Sequence, residues 1–279
     1  MMIATNIVTP VIDIYRFNPV TRGRDLIIDS TKPLDTKDTV ALQTYKAAQD
    51  TLKYYKDTFG RNSFDNKGAT LNVVIGYEEL AGTPLNNAYW NQDDKTMYFG
   101  DGDGKMFTPL GAAPDVFTHE FTHAVISSEV KLTYDGQEGG IHESYSDIMA
   151  TGVDNNTQIG ESVFTPSIPG DSLRDLPKLR YNHMSTLPAG EHEPHTMGEV
   201  LSTAAMRAAD VIGLDKVRHI WYDSIINSLK NHSGFDGARE ATIKSAKSLY
   251  GEPTSLSVQQ AWDAVGILGT NVKKEAKIK

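Results

Sequence analysis

His119, Glu120 and His123 spell the pattern His-Glu-x-x-His, whose residue types and spacing suit a metal that activates water. Four residues are just over one helical turn, so on a helix both imidazoles leave from the same face and can share one ion. Glu120 lies about 100° round such a helix from His119. It can approach the metal's open side, where a water would sit, without being a ligand. Two imidazoles and one carboxylate, with a fourth position left open, are the donor set of a catalytic zinc. Glu143 is the best candidate for the carboxylate: it follows His123 after 19 residues and opens the segment Glu143-Ser144-Tyr145-Ser146-Asp147. Asp147 falls one helical turn later, placed to orient a zinc-bound imidazole. His142 lies about 100° round the helix from Glu143 and reads as a buried polar neighbour, not a fourth ligand. The competing reading is a salt-bridge network between helices that binds no metal.

These residues need a rigid frame, and the chain carries signals for one. Ala41, Tyr45, Ala48, Leu52, Tyr55 and Phe59 recur at helical steps, and Gly60 stands where that helix would stop. Val8 to Ile14 is the best early strand candidate. Leu71, Val73, Ile75 and Tyr77 alternate as in a half-buried strand, with further strands expected at 88–90 and 96–99. From Asp115 the pattern turns helical. Pro114 suits the entry to a helix running to about Val130, and another is expected over 141–153. After a loop rich in Pro and Gly (165–190), helices are expected at 195–212, 215–231, 237–249 and 257–265. This predicts an α+β protein: a β-rich N-terminal domain with one long helix (1–114) and a mainly α-helical C-terminal domain (115–279). The cleft between them is the default place for an active site.

Composition narrows the partners. The 279 residues are 39% hydrophobic and 23% charged, with no cysteine and a net charge of −9. Thiol catalysis, disulfides and cysteine metal sites are thereby excluded. The acidic balance argues against nucleic acid or an anionic membrane as partner. No run approaches the roughly 18 apolar residues of a membrane span. Residues 1–18 lack the basic start and long apolar run of a secretory signal. Lys273 to Lys279 read as a solvated basic tail, and His183, His192, His219 and His232 as surface or satisfied polar residues.

Several separated motifs, in order, resemble the thermolysin-like metallopeptidases from about Tyr54 to Gly266. They include Asn87-Ala88-Tyr89-Trp90-Asn91, Gly100-Asp101-Gly102-Asp103-Gly104, Phe107-Thr108-Pro109-Leu110 and Asp115 through Val125. Gly139 to Asp147, Gly160-Glu161, Asp171-Ser172-Leu173-Arg174 and Ala261-Trp262-Asp263-Ala264-Val265-Gly266 continue the match. The resemblance implies a thermolysin-like fold and a secreted zinc endopeptidase acting on peptides or proteins; the sequence leaves the oligomeric state open, with a monomer favoured. Glu120 would be the general base. Tyr134 and His195 would donate hydrogen bonds to the oxyanion of the tetrahedral intermediate. Asn87 and Ala88 would hold the substrate backbone along an edge strand, and Arg174 a substrate carbonyl. Phe107, Leu110, Val116 and Leu173 would line an apolar pocket for the side chain after the scissile bond.

Calcium is a second implied cofactor, with Asp115, Asp154 and Glu161 at the matching positions and Thr165 with Asp171 as a further pair. Gln158, where a carboxylate is expected, favours one ion over two. Other departures from the family pattern are His142, in place of the usual Asn, and Thr196-Met197-Gly198-Glu199 after His195. The Asp that the family pattern places to orient His195 is not evident in this sequence; Glu191 is the nearest substitute. Two rival functions remain beside endopeptidase: a silent zinc-binding module that recognises peptides, and a helical structural protein carrying the motif by chance.

Overall fold

The computed structural model describes residues 8–229 and 234–269. The basic tail and His232 lie outside those residues. The chain divides into two units. The first holds the described residues up to Ser128 together with Ile159–Leu173, and the second holds Glu129–Gln158 and the described residues from Arg174 onward.

The first unit is built on a five-stranded mixed sheet of order β2-β1-β3-β5-β4. Its strands are β1 (Ile12–Phe17), β2 (Arg24–Asp29), β3 (Leu71–Ile75), β4 (Ala88–Asn91) and β5 (Thr96–Phe99). β3 runs parallel to both β1 and β5, while β2 and β4 pair antiparallel at the two edges. The strand expected over 8–14 lies instead at 12–17. Pro10 has no amide to give to a ladder, and pairing with β3 begins at Ile12, opposite Leu71. Ile12, Ile14, Leu71, Val73, Ile75, Met97 and Phe99 are all buried.

Two helices complete this unit's frame, α1 (Thr39–Phe59) and α2 (Pro114–Glu129). The Asp38 carboxylate caps α1 by accepting from the Ala41 amide. Gly60 ends the helix as its spacing predicts, with φ +67° and its amide bonded to the Lys56 carbonyl. Phe117 of α2 stacks on Phe99 at 5.3 Å, and Phe121 meets Tyr55 edge-on at 4.8 Å.

The second unit is helical: α3 (Gly136–Ala150), α4 (Pro194–Ile212), α5 (Leu214–Asn227), α6 (Gly234–Tyr250) and α7 (Glu252–Ala264). α3 starts five residues before the 141 that its sequence suggests. Gly136, Gly139 and Gly140 are poor helix formers, but close packing overrides propensity here. A Cβ on Gly140 would stand 2.8 Å from the Met197 Cβ, and one on Gly198 would stand 2.9 Å from the Glu143 Cβ. Small residues on both helices let α4 lie directly against α3. Buried Arg218 closes the other end of α3, donating to the Thr151 carbonyl and hydroxyl at 2.8 and 3.0 Å. Trp221 and Trp262 stack nearly parallel at 6.1 Å inside the bundle. The α+β class expected from the sequence is thus observed: among the described residues the five-stranded sheet lies in the first unit and five α-helices lie in the second.

Candidate active site

α2 opens with Pro114 at its first position and Asp115 in the first turn, where a carboxylate complements the helix dipole. Every residue from Asp115 to Ile126 is buried. The reading of one shared face holds: the Nε2 atoms of His119 and His123 stand 3.1 Å apart, with the rings at 80°. Tetrahedral zinc, bonded to each imidazole at about 2.0–2.1 Å, sets two such nitrogens roughly 3.3 Å apart. The pair therefore fits the ion. Glu120, between them, is also buried. His119, His123 and Glu143 form a group able to hold a metal ion.

In the second unit, Glu143 sits buried on α3 beside Gly198 of α4. Tyr134, just before α3 and more than half exposed, donates its hydroxyl to Glu143 Oε1. His195 Nε2 lies 3.3 Å from Glu143 Oε2. The two side chains assigned to an oxyanion by resemblance thus converge on one carboxylate. His142 is buried, with its ring 6.0 Å from that of Tyr134.

The residue that holds His195 is not Glu191. Glu191 turns its carboxylate to the amides of His192 and Glu193. Glu193 Oε1 meets His195 Nδ1 at 2.6 Å, and the same carboxylate caps α4 by accepting from the amides of His195 and Thr196. Burial works to raise the Glu193 carboxyl, but the His195 ring and these amides outweigh it and hold the group below its ordinary range. Glu193 is the N-cap preceding Pro194, and a Pro at the first helical position was the sequence signal that could have identified it.

Arg174 grips Asp147 with two parallel bonds of 2.6 and 2.7 Å, both groups largely buried. This pairing, across 27 residues, was not visible in the sequence. Ala88 lies in β4, an edge strand of the sheet, with exposed Asn87 just before it. Phe107, Leu110 and Val116 are buried, while Leu173 keeps 37% of its surface. Val116 and Leu173 both approach Gly160.

Asp115, Asp154 and Glu161 form a second group able to hold a metal ion. The Gly160 amide donates to Asp115 Oδ2. Burial, with the Glu161 charge adding to it, pushes the Asp115 carboxyl up to about 6, although the amides of Gly160 and Val116 oppose the shift. Thr165 donates its hydroxyl to Asp171 at 2.5 Å. Outside these groups, His183 caps a short turn through the Ser185 amide, and His219 Nδ1 lies 2.8 Å from the Asp215 carbonyl. No helix among the described residues is long and apolar enough to cross a membrane.

Comparison with known proteins agrees with this geometry. The family model for the thermolysin metallopeptidase catalytic domain matches residues 9–127, and that for the thermolysin metallopeptidase alpha-helical domain matches residues 130–267. The extracellular elastase of Staphylococcus epidermidis is 32% identical over 263 residues, covering 91% of this chain and 52% of that protein. Neutral protease B of Bacillus subtilis is 36% identical over 248 residues, covering 82% and 45%. The chain therefore spans about half the length of these two relatives. Neutral protease NprE of Bacillus pumilus is 34% identical over 225 residues, covering 77% of this chain and 72% of that protein. The precursor of protealysin, a metalloproteinase from Serratia proteamaculans, superposes with a TM-score of 0.81 at 25% identity, covering 95% of this chain and 90% of that one. With both domain models matched in order and a 34% identical relative covered over most of its length, this chain belongs to the thermolysin metallopeptidase family.

Proposed function

We propose that this chain is a zinc endopeptidase that cleaves peptide bonds before a hydrophobic residue and works outside the cell. The observation that carries the reading is the pair of buried imidazoles on α2, converging to 3.1 Å with Glu120 between them in sequence. Family membership supports it, as do relatives named as proteases, one of them extracellular.

His119, His123 and Glu143 would hold the ion. Bound zinc would act as a Lewis acid on the substrate carbonyl and lower the pKa of bound water toward ~7. Glu120 takes the proton of the attacking water and delivers it to the leaving amine. Tyr134 and His195 turn from Glu143 to the carbonyl oxygen as negative charge develops there. Each oriented donor of this kind contributes roughly 3–4 kcal/mol to the transition state. In this role His195 is held through Nδ1 by Glu193 while Nε2 turns to the oxyanion. The free edge of β4 at Ala88, with Asn87, pairs with the substrate backbone, and Arg174 binds a substrate carbonyl. Leu173, the exposed member of the apolar set, meets the side chain after the cut, backed by Phe107, Leu110 and Val116. Asp115, Asp154 and Glu161 would hold one calcium, which would relieve the cost of burying the Asp115 charge.

Metal analysis of purified protein, with peptide cleavage measured before and after chelation, tests the reading. About one zinc per chain and cleavage that chelation abolishes are expected. Zinc without cleavage would leave a binding module instead.

A further inference from the structure

The face of α2 that carries no metal ligand is tied to α1 by hydroxyls. Thr51 Oγ1 lies 2.8 Å from Thr118 Oγ1, and Tyr55 Oη lies 2.7 Å from Thr122 Oγ1. All four residues are fully buried. A hydroxyl carries one proton, and those of Thr118 and Thr122 are already committed. Thr118 donates to the Pro114 carbonyl at 2.8 Å, and Thr122 to the Thr118 carbonyl at 2.7 Å. Thr51 and Tyr55 must therefore be the donors across the gap.

The spacing ties this ladder to the site. Thr51 and Tyr55 are one turn apart on α1, as are Thr118 and Thr122 on α2. Each α2 threonine immediately precedes one imidazole, so the hydroxyl row lies about 100° from the histidine row. Two directional bonds a turn apart oppose both sliding and rolling of α2. The neighbouring aromatic contacts, Phe117 on Phe99 and Phe121 on Tyr55, are apolar, and apolar burial has no direction. Rolling the helix by about 10° would carry an atom 5–6 Å from its axis roughly 1 Å. Ligand distances in metal sites hold within about 0.2 Å.

We infer that Thr51 and Tyr55 are positioning residues for the metal, fixing the rotation of α2 and hence the aim of His119 and His123. The inference rests on the zinc reading above. The test is zinc affinity, measured on metal-stripped full-length protein by competition with a chromophoric chelator, beside denaturation midpoints. The Thr51→Val, Tyr55→Phe double variant should lose affinity about tenfold, at the low end for groups that orient ligands. Thr51→Ser, which keeps the hydroxyl, should retain it. Ile14→Val, which removes a methyl from the sheet core, should lower stability and leave affinity alone. A folded double variant with unchanged affinity would overturn the inference, and if the double variant does not fold, each single variant is held to the same criterion. Wild-type protein that binds no zinc would sink the functional reading and this inference together. Wild-type protein that binds and cleaves, with ladder variants binding equally well, would sink this inference alone.

Discussion

Glu193 holds His195 by a 2.6 Å contact to Nδ1 while capping the helix on which His195 stands. One carboxylate thus sets both the start of α4 and the direction of the imidazole. The arrangement couples stability to chemistry, and two substitutions separate them. Glu193→Gln keeps a cap oxygen but loses the charge beside Nδ1, so stability should change little while kcat falls about 10- to 100-fold, as for a misdirected group. Glu193→Ala should lower kcat similarly and cost about 1 kcal/mol more, the usual value of a lost cap. Glu191→Gln, one turn of loop away, should leave both nearly unchanged. Steady-state kinetics and denaturant titration of the three variants check this, and a Glu191 variant worse than Glu193→Gln would reverse the assignment.

The pair Arg174–Asp147 gives a second expectation. Asp147 is almost fully buried, and Arg174 binds it bidentately. Removing the cation alone strands a buried carboxylate, which typically costs 3–5 kcal/mol. Arg174→Met should therefore lower unfolding stability by about 3 kcal/mol. The added change Asp147→Asn should recover part of that loss, because the stranded charge is gone. A double-mutant cycle with no coupling would show that the pair does not hold the chain segment before α4.

These two pairings mark where the sequence stops being readable. The metal pattern on α2 was legible because helical spacing is local: residues four apart share a face whatever else the chain does. The α1 stop at Gly60 and the alternation of β3 were legible for the same reason. The start of α3 was not, because Gly139 and Gly140 are there to admit α4, a contact that propensity does not record. Arg174 with Asp147, and Thr51 with Thr118, join elements 27 and 67 residues apart, and no periodicity signals such partners. Glu193 lay between the two. Its role follows from a local helix start, whereas comparison with the family pattern pointed to Glu191.

Calcium should stabilise without taking part in the reaction. Asp115 is buried beside the Gly160 amide, and Asp154 and Glu161 complete the group. An ion bound only by the folded state adds about 2.7 kcal/mol when its concentration is 100 times Kd. Metal-stripped protein reloaded with zinc alone should therefore melt lower, and be nicked by protease sooner, than the same protein with calcium added. In Asp154→Asn that gain should shrink while kcat stays the same. A melting temperature indifferent to calcium in the zinc-loaded wild type would remove the site.

Glu120 offers the most direct separation of chemistry from metal binding. It stands between the two imidazoles in sequence, on the same buried helix, without belonging to the ligand group. Glu120→Gln keeps the side chain's size and leaves His119, His123 and Glu143 untouched, so about one zinc per chain should remain. The amide cannot take a proton from water at neutral pH, and a positioned general base contributes ~10²–10⁴-fold. The loss in kcat should lie toward the upper end of that range. KM should move far less than kcat, because the proton leaves only as the transition state forms. His195→Phe, by contrast, should lower kcat while Glu120 still acts, and the Tyr134 hydroxyl should remain as the second donor. Zinc content, kcat and KM measured on the same preparations decide the matter. Chelator-sensitive cleavage near the wild-type rate in Glu120→Gln would mean that another group accepts the proton, and the assignment of the base would have to move.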